Sequence, residues 1–169
     1  KGTFEGEDGY QLQRFICAHA IMLALEGMPA FYIHSLLATP NDHHKMAMTS
    51  NKRSINRHVW DYDVLVLALE DVNSPHKEAF SQITEIISIR KKQRAFHPNA
   101  TQFTMHFDES LFAFWRQSQD RAQSIFCIYN VTNEVQQFAL KDVNLIELDD
   151  WRDLISGHQY VDPREDIVL

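Results

Sequence analysis

Apolar side chains recur at helical spacing near the start of the chain and then form a short continuous run. Over residues 10–26 the apolar positions follow one helix face, and Gly27 is a candidate C-cap. Pro29 blocks continuation, and residues 30–33 are apolar and aromatic, which predicts a buried strand. A helix, a tight turn and a buried strand make the αβ half of a βαβ unit, so this part predicts a parallel sheet covered by helices.

The next stretch is polar and lacks a clear period. Residues 35–62 predict a long loop, and a loop of that length in a compact protein is usually functional. Residues 64–70 are apolar, but the run is too short to distinguish a helix from a strand. Ser74 followed by Pro75 predicts the start of a second helix. We expect that helix to end in a solvated basic run at residues 90–92.

After Pro98 the apolar period changes to two, and turn residues separate short alternating segments. This pattern predicts an antiparallel β-sandwich. The strands are predicted at residues 103–107, 111–116, 124–131, 135–141, 151–155 and 159–161. The predicted division is residues 1–97 as an αβ portion and residues 98–169 as an all-β domain. One helix, one strand and one further helix cannot close a parallel sheet, so we expect the first portion to belong to something larger.

Composition narrows the function classes. The chain has 169 residues, 44% hydrophobic and 23% charged, which is typical of a globular protein. Sixteen basic and 23 acidic residues give a net charge of -7, which disfavours nucleic acid and anionic membranes as partners. Cys17 and Cys127 lie far apart in the chain and predict reduced, buried thiols, so a cytoplasmic location is expected.

Candidate chemistry concentrates in residues 41–58. Asp42, His43, His44 and His58 include metal-ligand types, but adjacent loop histidines usually face solvent, so no metal is predicted. The segment 53–58 places two arginines around an amide and an imidazole, a set that suits sugar hydroxyls, a carboxylate or a phosphate. By spacing alone, arginines that only hold the loop together are an equal alternative.

Several stretches together resemble the α-amylase superfamily, glycoside hydrolase family 13, in its sucrose phosphorylase branch. The first half supplies GMPAFYIHS at 27–35, LL at 36–37, ND at 41–42, RSINR at 53–57 and RAFHP at 94–98. The second half supplies FAFWR at 112–116 and WRDLISG at 151–157. These segments follow the family order, so their combination is more specific than any one motif.

The resemblance implies the last αβα portion of a (β/α)8 barrel, which takes about 250 residues when complete, followed by a C-terminal antiparallel β-sandwich. Whether a last strand of that sandwich follows residue 169 stays open. The family uses retaining chemistry with paired carboxylates. All of its catalytic carboxylates lie on earlier barrel strands, so no catalytic residue is expected in this chain.

The resemblance also implies a substrate site. Arg57 matches the arginine that holds the glucosyl unit in these enzymes, and Arg53, Asn41, Asp42 and His58 are candidate pocket residues on the same face of the barrel. We expect no cofactor. The expected partners are an α-glucoside such as sucrose, inorganic phosphate, and the preceding barrel portion on which this chain would dock.

Three readings follow. The first is the C-terminal portion of a sucrose phosphorylase-like glucosyl-transferring enzyme, inactive alone, whose parent could instead be an α-glucosidase or amylase-type hydrolase. The second is a non-catalytic carbohydrate-binding domain, which requires exposed aromatic side chains such as Trp115 or Trp151 on the second-half sheet. The third is a structural interaction domain, which predicts a large apolar surface on residues 10–35 and self-association of the chain when it is expressed alone.

Overall fold

The computed structural model describes residue 6 and residues 8–143, 150–162 and 164–169. Contacts divide the chain into two compact groups. Lys1–Met28 and Ile86–Leu169 form one, called here the sheet unit, and Pro29–Glu85 forms the other, the loop unit. The predicted division between residues 97 and 98 concerns the domains of a larger protein and stays a prediction.

The elements are as follows. The helices are α1 Gln11–Ala24, α2 Ile33–Leu36, α3 His43–Thr49, α4 Tyr62–Glu70, α5 Pro75–Lys91 and α6 Leu140–Val143, and 3-10 turns cover Lys52–Asn56 and Arg94–Phe96. The strands are β1 Thr101–Met105, β2 Leu111–Gln117, β3 Ser124–Asn130, β4 Gln137–Ala139, β5 Trp151–Arg152, β6 Gln159–Tyr160 and β7 Asp166–Val168.

Both helices predicted from periodicity are confirmed. Helix α1 covers most of the predicted span, and Gly27 follows it at φ +94°, a left-handed conformation that glycine adopts without a Cβ clash. Helix α5 begins at Pro75, where the Ser74 hydroxyl accepts a hydrogen bond from the backbone N–H of His76 at 3.2 Å. A serine cap before a first-turn proline is therefore the start signal that the sequence indicates.

The predicted change to antiparallel β structure is also confirmed. Strands β1, β2 and β3 form a three-stranded antiparallel sheet in that order, with Phe103 opposite Trp115 and Trp115 opposite Phe126. Two further antiparallel pairs follow, β4 with β7 and β5 with β6. The prediction that these sheets form one β-sandwich is consistent with this arrangement and stays a prediction.

One face of the three-stranded sheet packs against helix α1 and the turn at Phe96. Ala24, Phe96, Phe114 and Cys127 form this core. The Cys127 thiol is buried, which raises its pKa to about 12. A thiol in this environment stays protonated at neutral pH, as expected for a packing residue.

Two arginines tie helix α1 to the rest of the sheet unit. Arg116 is wholly buried, and its guanidinium donates to the carbonyl oxygens of Ala24 at 2.8 Å and His97 at 3.1 Å. The half-buried Arg90 donates from Nε to the carbonyl oxygen of Leu23 at 2.5 Å. The prediction of a solvated basic run is therefore wrong for Arg90, because the last carbonyls of α1 lack partners within the helix and take up its guanidinium.

The loop unit departs most from the sequence prediction. Residues 30–32 are not a strand and Ile33 begins helix α2, so the prediction of a buried strand at residues 30–33 is wrong. Tyr32 and Ile33 are 49% and 53% exposed. A parallel strand needs hydrogen-bonded neighbours, and the described residues supply no parallel strand beside this segment.

The segment predicted as a loop at residues 35–62 carries helix α3 and a 3-10 turn, and residues 62–70 form helix α4. Helix α4 is apolar on all sides except at Asp63 and Glu70, yet none of its residues is buried. Val64 and Leu67 are 54% and 67% exposed. Among the described residues no helix is long and apolar enough to cross a membrane.

Candidate functional site

The five predicted site residues all lie in the loop unit, around helix α3 and the 3-10 turn Lys52–Asn56. Asn41 and Asp42 precede α3, Arg53 lies within the turn, and Arg57 and His58 follow it. The short elements of the segment thus place every candidate near a helix end, where backbone groups lack intrahelical partners.

Asp42 is the N-cap of helix α3. Its Oδ1 accepts a hydrogen bond from the backbone N–H of Lys45 at 2.8 Å, and its Oδ2 lies 3.1 Å from Nδ1 of His58. These two contacts, the backbone N–H first and the imidazole second, hold the pKa of the Asp42 carboxyl below its ordinary value. Asp42 is therefore a carboxylate that joins the start of α3 to His58.

The backbone that carries Arg57 is held by donors from three places. The carbonyl oxygen of Ile55 accepts from the backbone N–H of Asp42 at 2.6 Å, and that of Asn56 accepts from the Tyr32 hydroxyl at 2.9 Å. The carbonyl oxygen of Arg57 accepts from Nζ of Lys45 at 2.5 Å. Three consecutive carbonyls at the end of the turn are thus satisfied from outside it.

The side chains of Asn41, Arg53 and Arg57 are exposed. In the described part of the chain they form no side-chain hydrogen bond or ion pair. The structure therefore brings Asp42 and His58 together and leaves these three side chains available. An exposed guanidinium on an anchored backbone can donate to sugar hydroxyls, a carboxylate or a phosphate.

A group of aromatic and imidazole rings lies beside this segment. The rings of His58 and His76 each meet Trp60 edge-on, with centroids 5.0 Å and 5.1 Å away. Trp60 donates from Nε1 to the Thr39 hydroxyl at 2.9 Å. With Val64 these rings line a cavity of about 410 Å³.

Metal binding gains no support from the geometry. Across the described ranges, no three or more His, Cys, Asp or Glu side chains converge as metal ligands. His43 and His44 are exposed at the start of α3, while His58 is directed to Asp42. Of these histidines, His58 thus has a local partner in Asp42.

Sequence reasoning missed Tyr32, Lys45 and Trp60 as parts of this region. Tyr32 was expected in a buried strand, but it lies in extended backbone before α2 and reaches the 3-10 turn through its hydroxyl. Lys45 could have been found, because an aspartate three residues before it is the spacing of a helix N-cap. The signal for Trp60 is absent, since its partner Thr39 lies 21 residues away in the chain.

The carbohydrate-binding interpretation requires exposed tryptophans in the sheet unit. Trp115 lies 4.8 Å from Phe103 between ring centroids, and Trp151 stacks 4.7 Å from Phe126. Both tryptophans are half-buried within this row of rings, and Phe103 at its edge is 43% exposed. The row is chiefly a packing layer, and carbohydrate binding by it stays a prediction.

Comparison with curated proteins gives consistent relatives, although no protein-family model matches the chain. The chain is 31% identical over 157 residues to the glucosylglycerate phosphorylase of Spirochaeta thermophila, covering 91% of this chain and 27% of that protein. It is 34% identical over 142 residues to the glucosylglycerate phosphorylase of Allomeiothermus silvanus, covering 84% of this chain and 25% of that protein. The chain thus spans about a quarter of the length of these relatives.

Solved structures share the fold at lower identity. AmyP in complex with maltose matches with a TM-score of 0.73 and 14% identity, covering 96% of this chain and 33% of that one. The sucrose 6F-phosphate phosphorylase from Thermoanaerobacter thermosaccharolyticum matches with a TM-score of 0.56 and 18% identity, covering 94% and 26%. At these identities the likeness shows the fold alone.

Proposed function

We propose that the chain is the C-terminal part of a sucrose phosphorylase-like member of glycoside hydrolase family 13, and that its parent enzyme transfers an α-glucosyl unit between an α-glucoside and inorganic phosphate. Three relatives between 30% and 34% identical carry the name glucosylglycerate phosphorylase, which supports phosphorolysis over hydrolysis. The catalytic carboxylates implied by the resemblance lie outside this chain, so we propose that the chain alone is inactive.

The proposed role of this chain rests on the geometry around Arg57. Its guanidinium is exposed and unpaired within the described part of the chain, while its own carbonyl and the two preceding ones are hydrogen-bonded. We propose that Arg57 donates to the glucosyl unit, with Arg53, Asn41, Asp42 and His58 near the same substrate. A positioned donor lowers the barrier most where it meets the charge that develops during transfer.

Glucosylglycerate is the donor we propose to test first, because the relatives named for it cover up to 91% of this chain. Sucrose, the earlier expectation, and sucrose 6F-phosphate are the comparison donors. The full-length parent is incubated with each donor and inorganic phosphate, and glucose 1-phosphate and free glucose are measured separately. Phosphate-dependent glucose 1-phosphate is the expected product. Free glucose formed equally well without phosphate would instead establish the hydrolase alternative.

Replacing Arg57 tests the proposed site directly. We expect Arg57→Ala in the full-length parent to lower kcat/KM for the preferred donor tenfold or more, equivalent to about 1.4 kcal/mol. Steady-state kinetics with a matched Arg94→Ala control measure this, since Arg94 is an exposed arginine paired with Asp120 in the sheet unit. An Arg57→Ala enzyme with the kinetics of the control would remove Arg57 from the substrate site.

The apolar surface of helix α4 supports the proposed docking on the remainder of the parent. A helix that is hydrophobic on nearly all sides is normally buried, whereas α4 has no buried residue. The chain covers about a quarter of the relatives' length, so most of a relative's polypeptide is available as the covering partner. We propose the preceding barrel portion as that partner. The free thiols Cys17 and Cys127 support the proposed cytoplasmic location.

A further inference from the structure

We infer that Tyr32 and Lys45 are positioning residues for Arg57, holding the backbone from which its guanidinium extends. This inference rests on the proposed role of Arg57 and adds to it two residues that were not among the predicted site residues. Neither side chain would need to touch the substrate. Their effect would pass entirely through the orientation of the Arg57 backbone.

The first step is the number and source of the contacts. The last carbonyls of a short 3-10 turn have few partners inside it. Here the Tyr32 hydroxyl reaches the carbonyl of Asn56 at 2.9 Å, and Lys45 Nζ reaches that of Arg57 at 2.5 Å. The donors come from the extended backbone before α2 and from the first turn of α3. Arg57 is thus fixed from two separate segments.

The second step is that the Lys45 donor is itself held in place. Asp42 caps the helix at the backbone N–H of Lys45 and contacts His58, the residue after Arg57. At the other end of α3 the Thr49 hydroxyl donates to the carbonyl of Lys45 at 2.8 Å and lies 2.9 Å from the hydroxyl of the buried Ser54. Helix α3 and the 3-10 turn therefore form one hydrogen-bonded frame.

The third step is the contrast between backbone and side chain at residue 57. The main chain is fully engaged, while the guanidinium has no partner among the described residues. A substrate would then find a donor whose backbone is already ordered, without having to break an internal ion pair. Ordering the carrier before binding reduces the entropy cost of placing the guanidinium.

The test is a double-mutant cycle in the full-length parent. Tyr32→Phe removes one oxygen and keeps the ring, and Lys45→Met removes the ammonium and keeps an unbranched side chain. Each is measured alone and combined with Arg57→Ala, using glucosylglycerate and inorganic phosphate. Lys52→Met is the control, because Lys52 is an exposed lysine in the same 3-10 turn with no side-chain hydrogen bond in the described structure.

We expect Tyr32→Phe and Lys45→Met each to lower kcat/KM threefold to tenfold when Arg57 is present and less than twofold when Arg57 is alanine. Such coupling is the signature of residues that act through one another. Lys45→Arg, which keeps a cationic donor, should retain most of the activity, and Lys52→Met should match the unmodified enzyme. The melting temperatures of the variants are measured alongside, since a general loss of folding would lower activity by the same factor in both backgrounds.

Three results overturn the inference, and they are distinguishable. If Arg57→Ala lowers kcat/KM but Tyr32→Phe and Lys45→Met cost the same factor with and without Arg57, the two residues do not position it. If Arg57→Ala leaves kcat/KM unchanged, the proposed substrate role of Arg57 fails first, and the positioning role with it. Wild-type kinetics for both single variants would also exclude positioning.

Discussion

Arg116 is a buried cation whose hydrogen-bond partners are carbonyl oxygens. In the described residues it forms no ion pair with a carboxylate, and besides Ala24 and His97 it reaches the carbonyl of Ala100 at 3.4 Å. Its guanidinium also lies 5.9 Å from the ring centroid of Phe96. The negative end of the α1 dipole and this ring compensate the charge, although burial still lowers the pKa of Arg116.

Replacing Arg116 should be costly. We expect Arg116→Ala to lower the free energy of unfolding by about 2–4 kcal/mol, because it leaves buried carbonyls without donors and opens space beside Phe96. Urea unfolding measures this in the sheet unit when it is followed by tryptophan fluorescence in a Trp60→Phe background, where only Trp115 and Trp151 remain.

Arg94→Ala is the matched control for Arg116→Ala. Arg94 contacts Asp120 at 2.5 Å, but the two side chains are 66% and 50% exposed. We expect a change within about 0.5 kcal/mol, as for other surface ion pairs. Similar losses for the two arginines would show that Arg116 contributes no more than a surface charge.

The sequence alone could not distinguish these arginines. Arg90 and Arg116 each meet a carbonyl of α1, 67 and 92 residues away in the chain. Local periodicity carries no information on partners at such a distance.

At the scale of elements, helix α3 depends on an acidic cap. The folded-state pKa of Asp42 is depressed, so its contribution to stability is present above the ordinary aspartate pKa of about 3.9 and is lost as pH falls through the folded value. Protonation would weaken both its hydrogen bond from the Lys45 backbone and its contact with His58.

Asp42→Asn should therefore change the acid dependence of the loop unit. Asparagine can still cap the helix but does not titrate. We expect the variant to melt at a lower temperature than the unmodified protein at pH 7, and the difference to shrink as pH falls below about 4. Thermal unfolding followed by circular dichroism at several pH values measures this.

Asp42→Ala separates the cap from the charge. It removes both, so its melting temperature should lie below that of Asp42→Asn by a similar margin at every pH. A constant difference between Asp42→Asn and the unmodified protein from pH 7 to pH 3 would contradict the proposed role of the charge.

Long elements were predictable and short ones were not. Helices α1 and α5 and strands β1–β3 contain enough residues for a period to repeat. Helix α3 has seven residues and α2 has four, so neither produces an apolar stripe, and the segment reads as a loop. Strand β7, with three residues, was not predicted for the same reason.

At the scale of the whole molecule, helix α4 presents apolar surface that the described residues leave uncovered. Tyr62 is 77% exposed and Leu67 is 67% exposed. Surface of this kind normally marks an interface. From the sequence, an apolar run such as residues 64–70 indicates a buried segment. The structure shows that the described part of the chain buries none of the residues of α4.

Leu67→Glu tests that surface. We expect the isolated chain to associate increasingly with concentration in analytical ultracentrifugation, and Leu67→Glu to reduce the association. In the full-length parent the same change should lower the melting temperature, because it would bury a carboxylate in the proposed interface. Val135→Glu, at an exposed valine 76% accessible in the sheet unit, should do neither. If Leu67→Glu leaves the association unchanged, the chain associates through another surface.

The site and the fold were therefore predictable to different degrees. The resemblance, carried by segments between residues 27 and 157, indicates a family and the candidate residues, and the curated relatives support that family. The arrangement around Arg57 could not be read from those motifs, because it depends on a tyrosine hydroxyl and a lysine that reach backbone carbonyls. A hydrogen bond to a backbone carbonyl can form whatever side chain the accepting residue carries.

Anchoring through backbone carbonyls has a consequence for how the proposed site could change its sugar preference. The hydrogen bonds to the carbonyl oxygens of Ile55, Asn56 and Arg57 do not depend on the side chains of these residues. Substitutions at positions 55 and 56 can therefore change the surroundings of Arg57 while the hydrogen bonds from Tyr32 and Lys45 are kept. The sugar preference of the proposed site could thus change through single replacements beside Arg57, in evolution or in the laboratory.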